Sequence, residues 1–367
     1  MREKILDRAF GVGLEDEKYR FLFGPEGFVI TNRDLEELRR LARAAVVFMN
    51  DADRWYREAV TGGNSHWSSI LGRQIPKKYL PLAVRPGLPR TLMVDTVWTE
   101  AGWRIVELDA TNRNGLGYPM VLRHLYNLPN IWKGNDAEWR EAGLGGAVQV
   151  MMNYHRYYEP YYRHFLAALG GTLIRELEAD GEEECEVITR APAVLDVPVF
   201  MRQGEFLSAL LERAAEVPVG IPPKHHLASK AVQALPWEEE QFPVNGIGEF
   251  LAVTRLLRNG TELPVGTDFF VKLFQSGGAH GTFRNDIAKL EELRSRRPQA
   301  IWQEAWPIAR RRIKYLEDGG LVEAQKFIRL SIYVNPEGEI VDADVTASDQ
   351  NIVHGGRQSV MTVPVLT

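Results

Sequence analysis

The stretch from Leu88 to Pro119 constrains the fold more than any other part of the chain. Two apolar runs, Thr91 to Trp98 and Trp103 to Leu108, are rich in β-branched and aromatic residues and flank Thr99-Glu100-Ala101-Gly102. Such arms around a Gly-containing turn predict a β-hairpin. Side chains alternate along an extended chain, so Glu107 and Asp109 share one face, Leu108 takes the other, and Asp95 on the opposing arm comes within reach of the acidic face. Carboxylates gathered on one face repel each other unless a cation lies among them, and hard oxygen ligands suit Mg²⁺. Asp95, Glu107 and Asp109 are therefore a candidate metal site, although the solvated outer face of an edge hairpin accounts for the same spacing equally well. The polar loop Ala110 to Gly115 follows directly, and its Asn112 and Arg113 are candidate substrate contacts.

Upstream, Thr31 and Asp34 form a capping-box pattern. Leu35, Leu38, Leu41, Ala42, Ala45, Phe48, Met49 and Trp55 then recur at helical spacing. Glu36, Glu37, Arg39, Arg40 and Arg43 fill the other side of this helix and read as a solvated face. Downstream, Met120 to Leu128 reads as a helix, Gly146 to Leu169 as a long tyrosine-bearing helix, Cys185 to Thr189 as a strand and Glu205 to Glu216 as a helix. That alternation predicts an α/β lobe.

A second candidate site begins at Phe269-Phe270-Val271-Lys272. This β-rich run meets a glycine-rich loop containing Ser276, Gly277, Gly278 and Gly281, and the helix pattern Ile287, Leu290, Leu293 follows. Glycines let backbone N–H groups approach phosphate oxygens, and a strand lysine adds a point charge. No Gly-Lys-Ser/Thr follows, so this is not a Walker loop; an ordinary strand-turn-helix connection is the other reading. Ala300 to Trp306 is a buried strand running into a linker. Arg310, Arg311, Arg312 and Lys314 read as solvated charge or as phosphate steering, and the adjacent His225 and His226 lack a third metal ligand at suitable spacing. A second hairpin joins Lys326–Val334 to Glu339–Val345 through Asn335-Pro336-Glu337-Gly338. Arg329 shares a face with Phe327 and Ser331 there, while Asp342 and Asp344 read as surface residues near the turn. With Asn351 they are an alternative metal set.

Composition sets the outer limits. A chain of 367 residues, 45% hydrophobic and 25% charged, needs two or three packed lobes. A net charge of −5 argues against general attraction to nucleic acid or an anionic membrane. The one cysteine, Cys185, lies in an acidic run unsuited to a nucleophilic thiolate. With no signal-peptide pattern and no apolar run long enough for a bilayer, a cytoplasmic protein is expected.

In its order of landmarks the chain resembles the glutathionylspermidine synthase-type family of ATP-grasp carboxylate–amine ligases, in which the metal carboxylates precede the nucleotide lobes. The resemblance rests on Asp95, then Glu107-x-Asp109 and the Ala110-Thr111-Asn112 loop, at matching separation. Two departures are Asp109 in place of the family's usual Asn and Met93 in place of its substrate-binding Arg. The family fold implied is α+β or α/β: an ATP-grasp fold with an N-terminal helical region over 1–87, a metal-carboxylate hairpin and pre-ATP-grasp α/β lobe over 88–220, and nucleotide-binding lobes over 221–367. The cofactors implied are ATP and Mg²⁺. The resemblance adds Lys230, after Ser229, as a second phosphate lysine; it makes Gln303, Glu304 and Trp306 the hinge that holds the adenine and gives Arg329 the transferred phosphate. It implies amide-bond formation, through an acylphosphate, between a small-molecule or peptide carboxylate and an amine. A catalytically silent relative that binds nucleotide or peptide is the alternative.

Overall fold

The computed structural model describes residues 21–132 and 224–367, apart from 64, 74, 76–79, 90, 111–116, 263, 265, 275–280, 296–298 and 355–358, together with three short strands between those two spans. Strands β1 (Leu22–Phe23) and β2 (Phe28–Ile30) lead into helix α1 (Asn32–Thr61). The capping box is present: the Asp34 N–H donates to the Thr31 hydroxyl at 3.1 Å, and the Thr31 N–H donates to the Asp34 carboxylate at 2.8 Å. The predicted apolar stripe is the buried face of α1. Its other side is not simply solvated, because Glu37 pairs with Arg104 at 3.3 Å and Arg40 with Glu249 at 3.1 Å.

Short helices α2 (Ser65–Leu71) and α3 (Leu80–Ala83) precede the hairpin, which is β3 (Leu92–Thr99) and β4 (Gly102–Asp109). Gly102 closes the turn at φ +110°, a backbone conformation that L side chains rarely adopt, so the backbone calls for glycine there. Asp95 pairs with Glu107 but Thr96 pairs with Ile105, so Val106 is an extra residue, a β-bulge. Helix α4 (Tyr118–Tyr126) follows, with Gly117 at its start.

Strands β5 (Val148–Met151), β6 (Thr172–Arg175) and β7 (Leu195–Asp196) form a parallel sheet in the order β6-β5-β7. The helix expected from Gly146 is thus a strand over its first described residues. Val148 and Val150 alternate there, and β-branched residues favour a strand when neighbours pair on both sides. The strand expected at 185–189 and the helix expected at 205–216 lie outside the described residues.

Helix α5 (His225–Ala228), a 3₁₀ turn at Lys230–Ala234 and helix α6 (Leu235–Glu238) lead into a four-stranded antiparallel sheet. Its strands are β8 (Thr254–Leu256), β9 (Phe269–Leu273), β10 (Thr282–Arg284) and β11 (Ala300–Glu304), in the order β10-β9-β11-β8, with helix α7 (Ile287–Arg294) between β10 and β11. The expected passage from Lys272 through a loop straight into a helix is instead a hairpin, because β10 pairs back on β9 first. Leu290 and Leu293 pack with Val271 and Trp302 on one face of this sheet, whereas Ile287 is 51% exposed. Register puts Lys272, Ile301, Gln303 and Thr254 on the other face.

The remaining strands are β12 (Arg310–Glu317), β13 (Gly320–Val334), β14 (Ile340–Ser348), β15 (Val360–Thr362) and β16 (Pro364–Leu366). A seven-stranded sheet runs β12-β1-β15-β14-β13-β3-β4 and curls on itself, since β13 also pairs with β12. It draws strands from each of the segments 1–87, 88–220 and 221–367. Helix α1 packs on it, and one core joins Leu38, Leu41 and Phe48 to Val94, Ile328 and Leu330. Arg311, expected to be solvated or to steer phosphate, is a structural residue: its guanidinium lies 3.4 Å from Asp34 and over the Phe28 and Trp98 rings.

Candidate active site

Strands β4, β3, β13 and β14 lie side by side, and their register lines up Glu107, Asp95, Ser331 and Asp344 in one row across the sheet. The next row is Asp109, Met93, Tyr333 and Asp342. Directly paired residues share a face, so the three candidate metal carboxylates and the alternative pair Asp342/Asp344 occupy one surface of one sheet. Asn351, the third member of the alternative set, lies in the bend beyond β14. Asp342 and Asp344 are not surface residues: they are 2% and 4% exposed. Arg123 of α4 holds Asp342 with two hydrogen bonds, at 2.5 and 2.7 Å, and the Tyr333 hydroxyl donates to Asp344 at 3.0 Å. Those partners make burial tolerable.

Across the first row, the Ser331 hydroxyl donates to Asp95 at 2.6 Å, and the Arg329 guanidinium lies 3.5 Å from the same carboxylate. Arg329 also donates to the Thr346 hydroxyl at 3.3 Å, while its Nε is buried with no partner among the described residues. Burial pushes the Asp95 carboxyl above its ordinary value against the pull of Arg329, and burial pushes Asp344 up to about 7. Burial opposes the Arg329 charge, but Asp95, Asp344 and Glu107 outweigh it and hold that group above its usual value.

Both predicted phosphate lysines reach this face from the small-sheet side. Lys230 Nζ is 3.0 Å from the Glu107 carboxylate. Lys272 Nζ donates to the Val106 carbonyl at 2.9 Å and to Gln303 Oε1 at 2.6 Å. Burial lowers the Lys272 ammonium to about 8, with Glu107 resisting the shift.

The hinge residues divide. Gln303 turns inward to Lys272 and is 2% exposed, so it joins the lysine rather than the linker. Glu304 and Trp306 line a cavity of about 380 Å³ together with Pro236, Trp237, Leu251 and Ala305. The Glu304 and Ala305 N–H groups are already engaged, with the carbonyls of Val253 at 2.9 Å and Asp268 at 2.8 Å. The Trp306 indole is pinned to the hairpin by a 3.2 Å bond to the Ile105 carbonyl. Gly281 sits at the base of the glycine loop, where its carbonyl accepts the Leu273 N–H at 2.9 Å. Asn112, Arg113, Ser276, Gly277 and Gly278 lie outside the described residues.

Sequence reasoning missed Val106, Thr254, Gln233 and Arg123. It also left Ser331 and Tyr333 unused, although both share parity with Arg329 and so were legible as face neighbours. Of the paired histidines, His226 serves the fold. His226 Nε2 lies 2.9 Å from Asp53, which also holds Lys224 at 2.5 Å and Arg57 at 3.0 Å. Burial lowers His226 to about 4, so it is neutral at pH 7.

Among the described residues no group of three or more His, Cys, Asp or Glu side chains forms a metal cluster by itself. Mg²⁺ does not need one, since it commonly takes one or two protein carboxylates and completes its shell with phosphate oxygens and water. Asp95 and Glu107, directly opposed, fit that requirement. The unpartnered Arg329 Nε and the two lysines fit an anion beside it.

These features define a mixed α+β protein. The solved structure of a glutathione synthetase-like effector from Globodera pallida, in apo form, superposes with a TM-score of 0.59 over 99% of this chain and 96% of that one, at 13% sequence identity. At that identity the likeness is one of fold. Neither the protein-family models nor the curated proteins contain a match. No helix among the described residues is long and apolar enough to cross a membrane.

Proposed function

We propose that this chain is an ATP- and Mg²⁺-dependent carboxylate–amine ligase of the ATP-grasp kind, joining a small-molecule or peptide carboxylate to an amine. The observation that carries the reading is the row of carboxylates on β4, β3 and β14, met by Lys230 from the 3₁₀ turn and by Lys272 from the small sheet. Asp95 and Glu107 would hold Mg²⁺, with Asp109 next along the face; Lys230 and Lys272 would hold phosphates. Arg329 would neutralise charge at the transferred group, and the cavity beside Glu304 and Trp306 would take the adenine. Asn112 and Arg113 remain the proposed substrate contacts. When bound, ATP supplies the phosphoryl group that activates the carboxylate. The chain's own residues do the work of positioning and charge neutralisation, which is where most of the rate enhancement in phosphoryl transfer arises. On this reading the segments 1–87, 88–220 and 221–367 are the helical, metal-hairpin and nucleotide regions of a cytoplasmic enzyme.

A specific observation favours a second reading, a silent nucleotide or peptide binder: Lys230 already neutralises Glu107, and Arg329 lies beside Asp95. Incubation with ATP, Mg²⁺ and a panel of amino acids, peptides and polyamines separates the two. ADP release that requires both an acid and an amine supports the ligase. ATP binding without turnover across a broad panel supports the silent binder.

A further inference from the structure

We propose that Gln303 and Thr254 are positioning residues for Lys272, fixing where its ammonium presents charge without themselves touching the nucleotide. The inference rests on the nucleotide reading above and deepens it. The Thr254 hydroxyl lies 2.9 Å from the Ala252 carbonyl, which can only accept, so the single hydroxyl hydrogen is engaged there. Towards Gln303, at 2.9 Å, Thr254 can therefore only accept. That compels the Gln303 amide to turn its nitrogen to Thr254. The second N–H of the amide donates to Gln233 Oε1 at 3.0 Å. With both amide hydrogens placed, the carbonyl oxygen is left facing Lys272 at 2.6 Å.

The chain of constraint is buried throughout: Thr254 and Gln233 are 0% exposed, Gln303 2% and Lys272 6%. A flipped amide would set an N–H₂ group against a buried ammonium ion, which is costly in a low-dielectric interior. Thr254 on β8 and Gln303 on β11 are directly paired, so the relay is built into the sheet register. The second anchor of Lys272, the Val106 carbonyl, comes from the hairpin, so the lysine is held between two sheets.

Thr254→Val keeps the shape but removes the acceptor that orients Gln303. Calorimetric titration with ATP and Mg²⁺ should show affinity reduced about tenfold in the folded variant, and Thr254→Ser should restore it. Thr254→Val combined with Lys272→Ala should bind no worse than Lys272→Ala alone, because one acts through the other. Should Thr254→Val fail to fold, Gln303→Met carries the same two expectations. Wild-type affinity in Thr254→Val, or losses that add in the double variant, overturns the positioning role while leaving Lys272 as a phosphate ligand. Absence of ATP binding in the wild type overturns the nucleotide reading, and this inference with it.

Discussion

The Lys272 ammonium donates to the backbone carbonyl of Val106 at 2.9 Å, and Val106 is the residue that the bulge in β4 leaves without a partner on β3. In a regular ladder the strand supplies no surplus residue. The bulge supplies one, directly beside Glu107, and its carbonyl ties the four-stranded sheet to the carboxylate hairpin. Two sequence features that lie far apart in the chain, the acidic hairpin and the strand lysine, are thereby joined at one atom.

On the proposed reading, the buried lysine gives ATP binding a pH dependence of defined sign. Burial brings Lys272 to about 8 from its ordinary 10.5, so the side chain is charged at pH 7 and loses its proton as pH rises through 8. ATP affinity should be level near pH 7 and fall by pH 9, because a neutral amine does not attract phosphate. Lys272→Met should bind weakly at both values and show no such step. The effect on folding has the opposite sense: the unfolded lysine keeps its proton up to 10.5, so this group's contribution to stability rises with pH between 8 and 10.5. Calorimetry at pH 7, 8 and 9 reads the first effect; wild-type affinity that does not change across that range would remove Lys272 from the phosphate site.

Glu107→Gln and Asp344→Asn should differ although both residues lie in one row. Glu107→Gln removes charge from the carboxylate opposite Asp95 and should reduce Mg²⁺-dependent ADP formation at least about a hundredfold. Asp344 is pushed up to about 7 by burial, so it is substantially protonated near neutrality and Asn is a fair mimic of that form. A severalfold loss is expected there. Full activity in Glu107→Gln with an inactive Asp344→Asn would move the metal to the β13–β14 side.

What the sequence made legible was local. The cap at Thr31, the hairpin turn at Gly102 and the shared face of Glu107 and Asp109 all follow from side-chain period and turn chemistry. The bulge at Val106 did not, because Ile105 and Val106 are consecutive apolar residues and leave the period ambiguous there. The burial of Asp342 and Asp344 was equally hidden: alternation assigns a face, but what covers that face is set by Arg123 and Tyr333, which reach it through tertiary packing. That the two candidate carboxylate sets share one surface depends on β13 lying between β3 and β14, a non-local fact. Val148–Met151 failed for a different reason, since four residues, Val-Gln-Val-Met, are too few to separate a helix period from a strand alternation until their neighbours are known.

Stability away from the site should hinge on Asp53. Its carboxylate holds Lys224, His226 and Arg57, and Lys224 is fully buried. Asp53→Ala would leave that ammonium with the Arg85 carbonyl but no counter-ion in the interior, and should cost about 3–5 kcal/mol. Lys224→Met in the same background should recover part of the loss, since it removes the stranded charge. Chemical denaturation of the single and double variants measures both; a double variant less stable than Asp53→Ala alone would show that Lys224 stabilises the core by packing rather than by its ion pair.

Deleting Val106 tests the bulge itself. Asp95 pairs with Glu107 and Thr96 with Ile105 on either side of it, so removal of the extra residue leaves both pairs, and the shared face of the two carboxylates, intact. What disappears is the carbonyl that anchors Lys272. The variant should fold, because no apolar residue changes face, and should keep Mg²⁺ dependence if any turnover remains. Its ATP affinity should fall by about tenfold, the scale expected when a charged donor loses one of its buried acceptors. Adding Lys272→Met to the deletion should then cost little more. A deletion variant that binds ATP as tightly as the wild type would show that Gln303 alone suffices to place the lysine and that the bulge serves only the twist of the hairpin.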